Sequence, residues 1–237
     1  MELAEIKQRN AYYESIMHLL NPILTEFKEM ESNNDKFTDE RFGLITGSKV
    51  FVLFPKKSAE VGQRTYAKQL ANQMFFKYYD EVGSWQTEHG TLSEQSALEY
   101  YQTFFDKEAK KPEFISKGNY GGSADCLTSS FGIDFKCPTT LEGWLNYMHE
   151  GISDEQFYQC QMYMMLYGLD RWKICAYLLE TNRMSDMGIT YPVPYEQRMI
   201  IIDVPKDETF STELDIRSPK IIRMRDDFLE VLKVNFS

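Results

Sequence analysis

Apolar and polar side chains alternate with a period of two along the stretch Ile-Asp-Phe-Lys-Cys-Pro that begins at Ile133. In a β-strand, such alternation sends successive side chains to opposite faces. Ile133, Phe135 and Cys137 would share one face, while Asp134 and Lys136 would share the other. We therefore predict a strand with one face in the core and one face that carries chemistry.

Asp125 ends a strand-like run that comes shortly before this strand. The turn Thr-Ser-Ser-Phe-Gly between the two runs would bring Asp125 back beside Asp134. Two carboxylates and the ammonium of Lys136 would then meet at one end of a small sheet. Carboxylate oxygens suit Mg²⁺, and such an ion can activate a water and neutralise charge on a phosphodiester. The competing interpretation is a strand pair with incidental charges on its solvent-facing side.

The other elements follow from the same kind of pattern. A helical period of about 3.6 residues marks residues 2–30 (broken near Pro22), 62–79, 89–105, 153–168 and 214–232. Residues 172–179 and 198–204 are strand-like, and the Gly/Pro-rich loop between them would close a hairpin. This order predicts one α/β domain with a mixed central sheet flanked by helices, at residues 38–237, after a helical extension at residues 1–37.

Glu94 falls on the apolar stripe of the helix predicted at 89–105. Leu98, Tyr101 and Phe105 follow it at i+4, i+7 and i+11, so the four side chains share one helix face. A carboxylate on a buried face must be paired or must bind a cation. The alternative is a first-turn glutamate that is placed there by the helix dipole.

Two glutamines interrupt a helix that is otherwise apolar nearly all round. Ser153 and Gln156 form a capping box that opens this helix. Gln159 and Gln161 then lie among aromatic residues and methionines, where a buried amide needs hydrogen-bond partners. We expect at least one of the two amides to face the polar site.

A turn of small residues between Arg41 and Ser48 is predicted to open another helix at Ser48. A hydroxyl at such a start caps free backbone N–H groups, and these groups together with an arginine suit an anion. Ser48 serving only as a cap and Arg41 serving only as a surface residue are the alternatives.

The charge of the chain disfavours a simple nucleic-acid binder. The 237 residues carry a formal net charge of -10, whereas contact with backbone phosphates normally takes a basic surface. Basic residues do cluster locally, at Lys49, Lys56, Lys57, Arg64 and Lys68. The four cysteines lack C-x-x-C spacing and are expected to be reduced. Without a long apolar run or a basic leader, we expect a cytoplasmic protein that does not enter a membrane.

Five short motifs occur in an order that resembles a known family. They are Arg-x-Gly-x-Ile-Thr-x-Ser, Gly-x-x-x-Glu, Gly-Ser-Ala-Asp, Asp-Phe-Lys-Cys-Pro and Gln-Cys-Gln. Together they resemble the lambda-exonuclease or YqaJ viral recombinase family of PD-(D/E)xK nucleases, over roughly residues 40–235. The resemblance implies a restriction-endonuclease-like core. Ala124 stands where that family usually has proline, and Asp134 stands where glutamate is commoner.

The resemblance also implies roles for individual residues. The metal ligands would be Glu94, Asp125, Asp134 and the backbone carbonyl of Phe135, binding Mg²⁺, with Mn²⁺ as a substitute. Lys136 would orient or help deprotonate the attacking water and stabilise the charged transition state. Gln159 would support the lysine and the water, and the catalytic set would be Glu94, Asp125, Asp134, Lys136 and Gln159. Arg41 and Ser48 would hold a 5′ phosphate.

The activity implied by the resemblance is magnesium-dependent digestion of linear double-stranded DNA from the 5′ end, which leaves a 3′ single strand for recombination. The implied partners are DNA ends, a single-strand annealing protein and further copies of the chain in a homotrimer. If the chain is phage-encoded, the host cytoplasm is the expected compartment. Two other functions stay open: a structure- or strand-specific endonuclease of the same superfamily, and a catalytically silent acidic interaction protein.

Overall fold

A computed structural model describes residues 39–55, 60–78, 85–179, 181–182 and 189–236. The chain divides into two units, Met1–Arg41 and Phe42–Ser237, and of the first unit only residues 39–41 are described. The predicted helices within residues 2–30, and the domain boundary after residue 37, lie outside the described residues.

Five helices and nine strands form the described part of the chain. The helices are α1 (Glu60–Phe76), α2 (Trp85–Phe104), α3 (Leu141–His149), α4 (Asp154–Tyr167) and α5 (Phe210–Phe236). The strands are β1 (Ile45–Thr46), β2 (Ile115–Lys117), β3 (Tyr120–Gly122), β4 (Cys126–Leu127), β5 (Gly132–Lys136), β6 (Trp172–Tyr177), β7 (Thr181–Asn182), β8 (Ile189–Thr190) and β9 (Met199–Val204). Short 3₁₀ helices occur at Asp39–Arg41, Gly47–Leu53 and Tyr195–Gln197.

The central sheet has the strand order β4-β5-β6-β9 and is mixed. β4 and β5 are antiparallel, β5 and β6 are parallel, and β6 and β9 are antiparallel. The parallel pair needs a long crossover, and α3 and α4 supply it. The predicted hairpin of residues 172–179 and 198–204 is confirmed, because Trp172 pairs with Val204 and Tyr177 with Met199. A second sheet has the order β1-β3-β2, and β7 pairs with β8.

Helices cover both faces of the central sheet, as the sequence predicted. On one face, α2 packs against β5 and β6 through a core that includes Leu98, Tyr101, Phe135 and Cys175. On the other face, α4 contributes to a larger core that also includes residues of α1, α5 and the 3₁₀ helix Gly47–Leu53. Parallel strand pairs are normally covered on both sides in this way. The four cysteines are free, as expected.

The helix with Glu94 differs from its prediction at both ends. It begins at Trp85 and ends at Phe104, so Phe105 lies in the turn where its own N–H and that of Asp106 both bond to the carbonyl of Tyr101. Leu98 and Tyr101 are buried, as predicted, but Phe105 is exposed. The predicted stripe is therefore wrong at Phe105, because the helix stops one residue before it.

Two other helices differ from the sequence prediction: one is longer than predicted and one was not predicted. α5 is longer than residues 214–232 at both ends. α3 was missed, although Thr140 caps it by accepting a hydrogen bond from Gly143 N. Its buried Trp144 donates from Nε1 to the carbonyl of Ala176 in β6 at 3.0 Å. Within the described residues, every helix is too short or too polar to cross a bilayer.

Candidate active site

Asp125 and β5 are joined by a direct hydrogen bond. The backbone N–H of Phe135 donates to Asp125 Oδ2 at 2.7 Å. The register explains the contact, since Cys126 pairs with Ile133 in the antiparallel β4–β5 ladder and Asp125 comes just before Cys126. The predicted return of Asp125 beside the Asp134 segment is therefore the arrangement that the structure has.

Asp134 and Lys136 form an ion pair on one face of β5. Their Oδ2 and Nζ atoms are 2.6 Å apart. The side chain of Asp134 is 1% exposed and that of Lys136 is 26% exposed. A charge buried to this extent must be paired, so the polar face of β5 is an internal surface and not the solvent-facing side of the competing interpretation.

The lysine is a cation in this setting. Burial acts to lower the pKa of Lys136, but the charges of Asp134 and Asp125 outweigh that effect and raise the pKa above its usual value. In the chain alone, Lys136 therefore behaves as a fixed positive charge, which suits stabilisation of a charged transition state better than removal of a proton from water.

Glu94 reaches the same region from α2. Burial raises the pKa of Glu94, Lys111 opposes this rise, and the charge of Asp134 adds to it. The pKa of Asp125 is raised well above its usual value by burial and by the charges of Asp134 and Glu94. The charges of the three acids predicted from the sequence therefore act on one another.

The two glutamines of α4 have separate roles. Gln159 Oε1 accepts from Lys136 Nζ at 3.4 Å. Gln161 is buried and fastens the segment after β9, donating to the carbonyl of Pro205 and accepting from Asp207 N, both at 2.8 Å. Gln159 therefore faces the polar site, and Gln161 holds the fold together.

Tyr163 is a site neighbour that the sequence reasoning missed. Gln159 Nε2 donates to its hydroxyl at 3.4 Å. Its ring fills the space where a Cβ at Gly47 or Gly122 would stand, at 2.6 Å and 2.5 Å. The spacing from Gln159 to Tyr163 is i to i+4, which places both on one helix face and was the available signal.

The predicted phosphate pocket is only partly described. Ser48 is exposed and lies inside the 3₁₀ helix, whose N-cap residue is Thr46. The expectation of an N-capping Ser48 is therefore wrong, because the N-cap lies two residues earlier and the helix begins at Gly47. The Ser48 hydroxyl lies 3.4 Å from Thr46 Oγ1. Arg41 belongs to the first unit, so its role at a 5′ phosphate stays a prediction.

The structure describes only some members of the basic cluster that was identified in the sequence. Lys56 and Lys57 lie outside the described residues. Arg64 and Lys68 lie over the ring of Phe228, at 5.0 Å and 5.4 Å from its centroid. These two cations therefore help to pack α1 against α5.

The acids suit a hard divalent cation chemically but are not preassembled around one. Among the residues that the structure describes, no three His, Cys, Asp or Glu side chains are grouped so that they could hold a metal ion. Asp134 is paired with Lys136, and Glu94 with Lys111 at 3.5 Å. Three mutually repelling carboxylates are the donors that Mg²⁺ prefers, so the chemistry fits if both lysines give up their acid partners.

The described fold is that of solved exonuclease structures. An alkaline exonuclease from Laribacter hongkongensis (LHK-Exo) matches with a TM-score of 0.64 at 18% identity, over 83% of this chain and 94% of that chain. LHK-Exo in complex with dAMP matches with a TM-score of 0.65 at 18% identity, over 85% and 97%. A phage-related exonuclease from Haemophilus somnus 129PT matches with a TM-score of 0.61 at 16% identity, over 82% and 96%.

The architecture is an α/β fold with a mixed central sheet flanked by helices, which these exonuclease structures share, and the predicted fold class is confirmed. The resemblance inferred from the five motifs is confirmed at the level of the fold, since the matching structures are an alkaline and a phage-related exonuclease. The sequence matches no protein-family model and no curated protein sequence.

Proposed function

We propose that the chain is a magnesium-dependent exonuclease that resects linear double-stranded DNA from the 5′ end and leaves a 3′ single strand for phage-type recombination. One observation carries the proposal: Asp125, Asp134 and Lys136 meet at the β4–β5 end of the central sheet, and the charge of Glu94 interacts with both aspartates. This arrangement occurs in a fold that exonucleases share.

The cation would be held by the carboxylates of Glu94, Asp125 and Asp134 and by the backbone carbonyl of Phe135. When bound, Mg²⁺ or Mn²⁺ activates a water and offsets the negative charge that develops on the phosphodiester. Asp125 is already oriented by its bond from Phe135 N, so one of the proposed ligands is fixed to the strand that carries another.

Lys136 would stabilise the developing negative charge as a compact point charge. If Asp134 were a ligand of the cation, the ammonium of Lys136 would still have the amide oxygen of Gln159 as a partner, 3.4 Å away. Gln159 in turn contacts Tyr163, whose ring is fixed against Gly47 and Gly122. This chain of contacts would keep the ammonium aimed at the reacting phosphate.

Arg41 and Ser48 would bind the 5′ phosphate of the strand being digested. One of the matching structures is a complex of LHK-Exo with dAMP, and a bound nucleotide monophosphate is consistent with a phosphate site in this fold. The larger assembly, a homotrimer that cooperates with a single-strand annealing protein, is also part of the proposal. Light scattering tests it, because a monomer at working concentration would contradict the trimer.

The test of this function is digestion of duplex DNA labelled separately at its 5′ and 3′ ends. With Mg²⁺, we expect loss of the 5′ label first and survival of the opposite strand, and EDTA should stop the reaction. A covalently closed circle should resist digestion. Cutting of the circle would favour an endonuclease of the same superfamily, and failure to digest with any divalent metal would favour an interaction protein.

A further inference from the structure

Lys111 is positioned beside the acidic site by a backbone contact of its neighbour and by a contact of its own side chain. Its neighbour Lys110 forms a backbone bridge to Leu127 of β4, with N···O distances of 3.0 Å and 2.8 Å. β4 begins directly after Asp125, so this bridge ties the lysine segment to the strand that follows a proposed ligand. The Nζ atom of Lys111 lies 3.5 Å from Glu94 Oε2 on α2.

The contact between Lys111 and Glu94 is easily exchanged. The side chain of Lys111 is 55% exposed, and ion pairs with this degree of solvent contact contribute little to stability. A divalent cation bound to Glu94 would also repel an ammonium group only a few ångströms away. The ammonium group of Lys111 would then bind another anion or be hydrated.

Other lysines of the same region are differently placed. The ammonium of Lys136 is held by Asp134 and Gln159 inside the site. That of Lys117 donates to the carbonyl of Met165 at 3.3 Å. Lys107 extends into solvent with an 86% exposed side chain beside Glu108. Lys111 combines exposure to solvent with a direct contact to a proposed cation ligand.

We propose that Lys111 is a phosphate-binding residue that leaves Glu94 for a backbone phosphate of the DNA when Glu94 takes a divalent cation. This inference rests on the proposed nuclease function. A protein with a net charge of -10 needs local cations wherever it meets DNA. An ammonium on a flexible stem binds a phosphate as a point charge. Release of Lys111 would therefore couple cation binding to DNA binding at the same edge of the sheet.

The first measurement is the salt dependence of binding to duplex DNA ends, in Ca²⁺, for the natural chain and three variants. Lys111→Gln should weaken binding several-fold at low salt and reduce the slope of log K against log salt by about 0.9, the loss of one phosphate contact. Lys111→Arg should keep the natural slope. Lys107→Gln removes the same charge four residues away and should also leave the slope unchanged.

The second measurement needs no DNA. Binding of Ca²⁺ to the folded protein should raise its unfolding temperature. Because Lys111 competes for Glu94, Lys111→Gln should reach half of the maximal rise at a several-fold lower Ca²⁺ concentration than the natural chain. Lys107→Gln should need the natural concentration.

The outcomes separate this inference from the function on which it rests. If the natural chain digests DNA but Lys111→Gln keeps both the natural salt slope and the natural Ca²⁺ requirement, the role of Lys111 is overturned alone. Equal changes in Lys111→Gln and Lys107→Gln would also overturn it, because they would indicate a general effect of charge. If the natural chain neither digests nor binds DNA with any metal, the proposed function fails and Lys111 has no phosphate to bind.

Discussion

The two faces of β5 are both removed from water, but different forces stabilise them. Ile133 and Phe135 face α2 and pack into an apolar core. Asp134 is buried to the same degree on the other face, where it depends on the ammonium of Lys136. Burying an apolar side chain stabilises the fold, whereas burying a charge destabilises it unless a partner of opposite charge is buried with it. One strand therefore carries a structural face and a face that we propose carries the chemistry.

This contrast predicts that substitutions on the two sides separate activity from stability. Changes on the apolar side should lower stability while leaving the chemistry of the folded fraction intact. Changes on the polar side that keep shape and hydrogen bonding should remove the chemistry while leaving stability nearly intact.

Asp125→Asn should lower the rate of DNA digestion by about 1000-fold or more, because it removes a charged ligand from the proposed cation site. The amide oxygen can still accept the hydrogen bond from Phe135 N, now 2.7 Å from Asp125 Oδ2. Thermal unfolding should therefore stay close to that of the natural chain. A variant that unfolds early would show that Asp125 is a structural residue.

Phe135→Ala should destabilise the fold by about 3 kcal/mol, through lost burial and the cavity left beside Tyr101. Urea unfolding at equilibrium measures this loss. Digestion per folded molecule should stay within a few-fold of the natural rate at low temperature. Normal stability together with lost digestion would reverse the assignment of the two faces.

Gln161→Leu should cost about 1.5 kcal/mol of stability, because Pro205 O and Asp207 N both lose their partner amide. The digestion rate of the folded protein should be unchanged. Urea unfolding and a single-turnover digestion assay measure the two quantities on the same preparation. A large loss of rate in this variant would place Gln161 in the site after all.

Gln159→Leu is the matched change two residues earlier on α4. It should slow digestion about tenfold, because Lys136 loses the amide that orients it. Its effect on unfolding should be smaller than that of Gln161→Leu, since both of its hydrogen bonds are long, at 3.4 Å. If Gln159→Leu and Gln161→Leu had the same two effects, the separation of roles along α4 would be refuted.

Local patterns predicted much of this arrangement. Alternation identified the two faces of β5, the capping box located the start of α4, and the helical period put Glu94 on the side of Leu98 and Tyr101. The amphipathic pattern of α3, with its cap at Thr140, was equally visible in the sequence but was not recognised.

The parts of the site that the sequence did not predict depend on contacts between segments that are far apart in the chain. The bridge from Lys110 to Leu127 places Lys111 beside the site, and no local period encodes a contact between those two segments. The fit of Tyr163 against Gly47 and Gly122 likewise depends on how α4 docks. Which of Gln159 and Gln161 faces the polar site also depends on how α4 docks. The sequence alone does not distinguish them, because both are polar positions in one apolar run.

The most direct test of the account is the release of nucleotides from linear duplex DNA by the natural chain and by Asp134→Asn, with Mg²⁺ and with EDTA. Asp134 lies on the polar face of β5 and forms an ion pair with Lys136. We predict rapid release by the natural chain in Mg²⁺, and loss of release both in EDTA and in the variant. Equal release by the natural chain and Asp134→Asn would contradict the assignment of this face as the catalytic one.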